Sequence, residues 1–120
     1  MKSKYFLIAK KMAMKAPSKF KVGALLVIGK NQYTAFNYKD DIEHKPAKYH
    51  ITIHAEDAVI SKAISNGERH RLHMAELYVY RITVFGMAMS RPCIYCQKEI
   101  EKWKIKKVYY TTQTGYERLK

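Results

Sequence analysis

The chain is poor in cysteine, proline and acidic residues, and each shortage narrows what it can be. In 120 residues there are two cysteines, three prolines and ten acidic side chains against 23 basic ones. Cys93 and Cys96 come with no secretion signal. That points to a reducing compartment, where a C-x-x-C binds metal or does redox chemistry more often than it forms a structural disulfide. The N-terminal apolar run, Tyr5 to Ala9, is too short for a signal peptide or a membrane span. An intracellular, cytoplasmic chain with no membrane partner is expected. Repeats, linkers and low-complexity tracts are absent, and 48% apolar content excludes disorder. One domain over residues 1–120 is expected.

The missing acid is unevenly distributed. No Asp or Glu precedes Asp40, a stretch that holds nine lysines. A second basic cluster comprises Lys98, Lys102, Lys104, Lys106 and Lys107, with Arg118 and Lys120 beyond. The net charge of +13 favours a polyanionic partner, either nucleic acid or a phosphorylated nucleotide, over a merely solubilising surface. Lysine outnumbers arginine, which suits diffuse attraction to phosphate better than bidentate base reading.

Residues 3–15 have helical spacing, with Tyr5, Ile8, Ala9, Met12 and Ala16 on the apolar face and Pro17 as the stop. Val22 to Ile28 is a continuous apolar run that suits a buried strand. A turn at Gly29-Lys30-Asn31 leads into a second strand over 32–38, with Asn37 at its end. Residues 39–51 are polar, contain Pro46 and read as a loop. A largely apolar helix follows from 52 or 53 to about 66, closed by Gly67. The basic connector 68–74 leads to a strand over 76–85, a turn at Gly86 and a return run over 87–92. A helix over 93–104 and a strand over 105–112 complete the pattern. Helices joining the later strands make them parallel, so the fold class is α/β.

Two short runs carry the chemistry: His54-Ala55-Glu56 and Pro92-Cys93-Ile94-Tyr95-Cys96. One imidazole and two thiolates suit a four-coordinate Zn²⁺ with one position left open for water. Cys93 and Cys96, at i and i+3, share one face of a helix's first turn, where the positive helix end favours thiolate over thiol. Glu56 would move the protons of the activated water. His54 and Glu56, at i and i+2, stand about 200° apart on an ideal helix and can serve one site only at a helix end. The apolar helical pattern starts at Ala55, which puts them there.

Other readings of these residues fit less well. A thioredoxin-like C-x-x-C would want a proline after the motif, and Pro92 is the last in the chain. A closed structural site of His50, His54, Cys93 and Cys96 would make Glu56 incidental, but it rests on a residue in the expected loop. A basic nucleic-acid-binding module with structural zinc is the non-enzymatic form of that idea.

The paired motifs follow the signature H-x-E…P-C-x-x-C. With Lys21 to Val27 (KVGALLV), His54 to Ala63 (HAEDAVISKA), Ser90 to Cys96 (SRPCIYC) and Lys104 to Tyr110 (KIKKVYY), the chain resembles the cytidine deaminase-like superfamily over most of residues 1–113. The resemblance implies a three-layer α/β/α sandwich with a mixed sheet of four to five strands. It implies zinc on His54, Cys93 and Cys96, with Glu56 as proton shuttle. The main-chain groups of Ala55 and Arg91 would lie by the reacting base, Asn37 on the nucleoside, and Tyr116 in the segment that governs substrate choice in polynucleotide deaminases. The implied reaction is hydrolytic deamination of cytosine to uracil, preferably on a single-stranded nucleic acid, DNA favoured. The alternatives are a free (deoxy)cytidine nucleotide and adenosine in RNA. Ser90-Arg91 before Pro92, where the tRNA adenosine branch commonly has glutamate, lies nearer the cytosine branches, AID/APOBEC-like or deoxycytidylate deaminase-like. Two departures stand out. The 35 residues 57–91 imply an added hairpin before the cysteines, and the short C-terminus implies a fifth strand that is short or absent. Nothing in the sequence fixes an oligomeric state.

Overall fold

The structure, a computed structural model, describes residues 3–17, 21–40 and 51–119. Its centre is β1 (Lys21–Ile28), buried along its length after Lys21. Seven consecutive buried residues require cover on both faces, and side-chain alternation divides them between two layers. Leu25 and Val27 face helix α1 (Ser3–Lys15), where they pack with Tyr5, Phe6, Ala9 and Ala13. Val22, Ala24, Leu26 and Ile28 face the opposite way, into a core shared with the helices that carry the two motifs. At Gly23 a Cβ would overlap the backbone of Ala9 and Ala13. Only glycine lets α1 lie so close on the strand. The buried face of α1 includes Phe6 and Ala13, whereas Ile8 and Met12, expected on it, are half-buried.

Gly29, at φ 59°, turns the chain into β2 (Asn31–Phe36), antiparallel to β1. The expected loop over 39–51 is corrected in its described part. Tyr38–Asp40 (β3) and Ile51–Ile53 (β4) form a separate antiparallel pair. The candidate ligand His50 lies outside the described residues. Helix α2 (Ala55–Ser65) buries Ala55, Glu56, Val59, Ile60 and Ala63. It ends in a Schellman motif: Glu68 N–H donates to Ala63 O at 3.1 Å and Gly67 N–H to Ile64 O at 3.0 Å, with Gly67 at φ 84°. The basic connector is a 3₁₀ helix, Arg69–Met74, anchored by buried Leu72.

Strand β5 (Glu76–Thr83) pairs antiparallel with β1 along one edge. Its other edge is shared. Residues Glu76–Val79 pair parallel with β7 (Lys107–Thr111), and Arg81–Thr83 pair antiparallel with β6 (Gly86–Ala88). The β5–β6 hairpin is the insertion expected before the cysteines. Helix α3 (Ile94–Lys102) links the sheet to β7, and a short fifth principal strand, β8 (Tyr116–Arg118), returns antiparallel to β7. The main sheet therefore has six strands in the order β2-β1-β5-β7-β8, with β6 beside β5. Helix α1 covers one face and α2 with α3 the other, giving the expected α/β/α layering.

Candidate functional site

Both motifs fall at helix starts on one face of the sheet. His54 is the N-cap of α2, with extended backbone at φ −73° and ψ 148°. Being outside the helix, it escapes the ideal-helix separation from Glu56, and the two side chains line one cavity. Cys93 is the N-cap of α3, extended at φ −68° and ψ 171°, and Cys96 lies in the first turn. The Sγ atoms of Cys93 and Cys96 each stand 3.4 Å from His54 Nδ1. Within the described residues these three donors, all inside 4.8 Å of one another, form the one cluster able to hold a metal ion.

The donor set fits zinc. Tetrahedral Zn²⁺ with Zn–S of about 2.3 Å and Zn–N of about 2.05 Å places sulfur and nitrogen about 3.6 Å apart. The observed spacing is within about 0.2 Å of that. Both cysteines are free thiols. Burial, followed by the Glu56 and Asp57 carboxylates, holds the Cys96 thiol strongly protonated in the metal-free chain. A cation among the donors would offset those charges and release the proton.

Glu56 is buried, at 5% exposure. Burial pushes its carboxyl above the usual carboxylate range, while its own backbone N–H, His54 and a hydrogen bond with Cys96 pull the other way. The result is a carboxyl group at the wall of the cavity, beside the metal donors, that holds its proton more tightly than an ordinary carboxylate.

The cavity, of about 140 Å³, is also lined by Val22, Asn37, Ala55, Arg81, Met89, Ser90 and Arg91. The expected contacts Asn37, Ala55 and Arg91 thus stand together with His54, Glu56 and Cys93. Asn37 is buried and ties off the start of β1. Its Oδ1 accepts from Val22 N–H at 2.8 Å, and its N–H donates to Val22 O at 3.1 Å. Ser90 fixes the segment before the cysteines. Its Oγ donates to Val79 O at 3.0 Å and accepts from Thr111 N–H at 2.7 Å, bridging β5 and β7. Gln97 Nε2 donates to Pro92 O at 2.7 Å and holds the same segment from α3.

Tyr116 is not brought to this cavity. Because β8 runs antiparallel to β7, its ring stacks on Phe6 of α1, with centroids 3.9 Å apart, on the opposite sheet face. Sequence reasoning missed Arg81 and Met89. The available signal for Arg81 was a lone charge within the otherwise uncharged run from Leu77 to Phe85.

Comparison with known proteins agrees with this geometry. The family described as cytidine and deoxycytidylate deaminase zinc-binding region matches residues 1–112. Among solved structures, a cytidine deaminase from Burkholderia pseudomallei is similar over 99% of this chain and 91% of its own, at 21% identity and TM-score 0.75. A dCMP deaminase from the cyanophage S-TIM5 matches over 92% and 84% respectively, at 24% identity and TM-score 0.67. A cytidine deaminase from Mycobacterium tuberculosis matches over 97% and 88%, at 19% identity and TM-score 0.64. At such identities these structures establish the fold. Among curated protein sequences none matches significantly. In the described residues no helix is long and apolar enough to cross a membrane. With its family match over residues 1–112 and a His54, Cys93 and Cys96 donor set that fits zinc, the chain belongs to the cytidine and deoxycytidylate deaminase zinc-binding family, hydrolytic deaminases of cytosine-type substrates.

Proposed function

We propose that this chain, acting as one domain over residues 1–120, converts cytosine to uracil with Glu56 as the proton-transfer group. The observation that carries the reading is the buried Glu56 carboxyl at the wall of the cavity that His54 and Cys93 also line. His54, Cys93 and Cys96 hold zinc, which supplies a Lewis acid able to bring the pKa of water to about 7. Glu56 takes a proton from the attacking water and passes it to the ring nitrogen, then delivers a proton to the departing amine. Water adds at C4, the C4–N bond breaks and ammonia leaves. Asn37 and the main-chain groups of Ala55 and Arg91 orient the nucleoside. A cavity of about 150 Å³ accepts one benzene ring. The 140 Å³ here matches a single six-membered ring better than a purine, which favours cytosine over adenine.

Glu56→Ala should leave zinc content unchanged and lower turnover at least ~10³-fold, within the range for loss of a general acid–base. Near-wild-type turnover in that variant would remove Glu56 from the mechanism.

The preferred carrier of the cytosine is a single-stranded nucleic acid, DNA before RNA. The net charge of +13 supports this. A free (deoxy)cytidine nucleotide is the second reading, favoured by the likeness to a dCMP deaminase. Side-by-side assays on cytosine-containing ssDNA, ssRNA, cytidine and dCMP across a salt series separate them. Oligonucleotide turnover should fall steeply with salt. Turnover of dCMP with none on oligonucleotides would reject the strand.

A further inference from the structure

Strand β5 changes partner partway along one edge. Through Val79 it pairs with β7, and from Arg81 onward with β6. The ladder is interrupted at this fork, and two buried hydroxyls fill the break. Thr111, fully buried at the end of β7, accepts at Oγ1 from Arg81 N–H at 3.2 Å and donates to Ala88 O at 2.7 Å. The Oγ of Ser90, which bridges Val79 O and Thr111 N–H, lies 2.8 Å from Thr111 Oγ1. Ser90 N–H donates in turn to Thr111 O at 2.9 Å. Three strands and the segment before the cysteines thus meet at one pair of hydroxyl oxygens. Both residues are buried, so solvent cannot readily replace either group.

The fork is also one wall of the cavity. Arg81, Met89, Ser90 and Arg91 are four of the ten lining residues, and each is, or adjoins in sequence, a residue that the hydroxyl pair holds. Thr111 itself is not among them. The metal donors have a separate anchor. Cys93 and Cys96 stand at the start of α3, and Gln97 of the same helix holds Pro92 O at 2.7 Å. The hydroxyl pair fixes the wall, and α3 fixes the donors.

We infer that Thr111, acting through Ser90 and Ala88, is a positioning residue: its hydroxyl sets Met89 and the main chain of Arg91 against the pyrimidine ring. It acts on neither zinc nor proton transfer. The inference rests on the deaminase reading above and adds to it a residue outside the cavity.

The test compares zinc-loaded wild type with Thr111→Val, Thr111→Ser and Ser90→Ala on dCMP and a cytosine-containing ssDNA oligonucleotide. Valine keeps the shape of threonine but deprives Arg81 N–H and Ala88 O of their partner. On the substrate that is turned over, Thr111→Val should raise KM at least ~10-fold, the scale of stranding one buried hydrogen-bonding group. The wall holds the ring alike before and during reaction, so kcat should stay near wild type. Thr111→Ser keeps the hydroxyl and should recover most of the loss. Ser90→Ala should show the same split as Thr111→Val, and it decides the question if the valine variant does not fold. Zinc content should be unchanged in all of them. Partial unfolding alone would do the reverse, lowering apparent kcat through fewer folded molecules while KM stayed the same. A wild-type KM in the folded variants, a fall in kcat alone, or a loss of zinc would each overturn the proposal.

A second measurement needs no turnover. Calorimetric binding of deoxyuridine to the zinc-loaded protein should weaken at least ~10-fold in Thr111→Val and recover in Thr111→Ser. Unchanged affinity overturns the positioning role and leaves the deaminase reading intact. A wild type that neither turns over cytosine nor binds deoxyuridine would overturn that reading, and the proposal with it.

Discussion

The two faces of the central sheet are made by the same strands but have different chemistry. The face under α1 is aromatic and closed. Tyr78 meets Tyr5, Phe6 and Tyr109 with ring centroids 5.1, 5.2 and 5.1 Å apart, and Phe6 carries Tyr116 on its other side. The face under α2 and α3 is aliphatic, built on Ala24, Leu26, Ile28, Leu77, Val79 and Val108, and it opens at one end into the cavity. Adjacent residues split between them. Gly23 receives the backbone of α1 while Val22 lines the cavity, and Tyr80 packs under α1 while Arg81 faces the site. A one-residue slip of β1 or β5 would exchange these roles. The aromatic packing therefore sets the register on which the opposite face depends, without itself touching the chemistry.

That division can be broken from either side. The largest effect is expected on the site face. Cys96→Ala should reduce bound zinc from about one per chain to near zero, with turnover falling at least ~10³-fold, because two donors do not complete a tetrahedral site. Zinc content by atomic absorption checks this, and full retention of metal would mean that the donors lie elsewhere. On the other face, Gly23→Val sets a branched side chain against the backbone of Ala9 and Ala13. Backbone cannot swing aside as a side chain does, so the cost should reach about 3 kcal/mol, or a fall in Tm of roughly 10 °C or more. Below its own Tm the variant should still bind zinc. An unchanged Tm with zinc lost would show that the two faces are not separable in this way.

Local signals carried much of this arrangement. The zinc donors were legible because each motif sits at a helix start, and helix starts are marked by where apolar periodicity begins. The buried run Val22 to Ile28 announced the central strand by composition alone. What escaped was non-local. The β3–β4 pair joins two three-residue strands across ten intervening residues, each too short for periodicity to register. Arg81 reaches the cavity only through the β1–β5 register, which no window of sequence contains. Tyr116 was assigned to the substrate by its place in the chain, but the reversal into β8 turns it toward α1.

The smallest expected effect lies at the end of the sheet remote from the cavity, where Glu68 latches the β1–β2 turn to the 3₁₀ helix. Its carboxylate accepts from Asn31 Nδ2 and Tyr33 Oη at 2.9 Å each and pairs with Arg71 at 3.0 Å. The hydrogen bond from Asn31, then those of Tyr33 and the charge of Arg71, outweigh burial and hold the carboxyl below its ordinary value of 4.5. A depressed folded-state pKa means that the unfolded chain takes up the proton first as pH falls. The latch therefore stabilises fully above about pH 4.5 and loses its contribution as pH drops through the lower folded value. Glu68→Gln keeps the shape and one acceptor but removes the charge. It should lower the urea midpoint at pH 7, with the difference from wild type shrinking as pH falls below 4.5. A difference that stayed constant down the acid limb would assign the latch to packing and neutral hydrogen bonds, not to the carboxylate. Zinc content and turnover should be untouched, since the sheet's far end can loosen without moving the register at Val22 and Arg81.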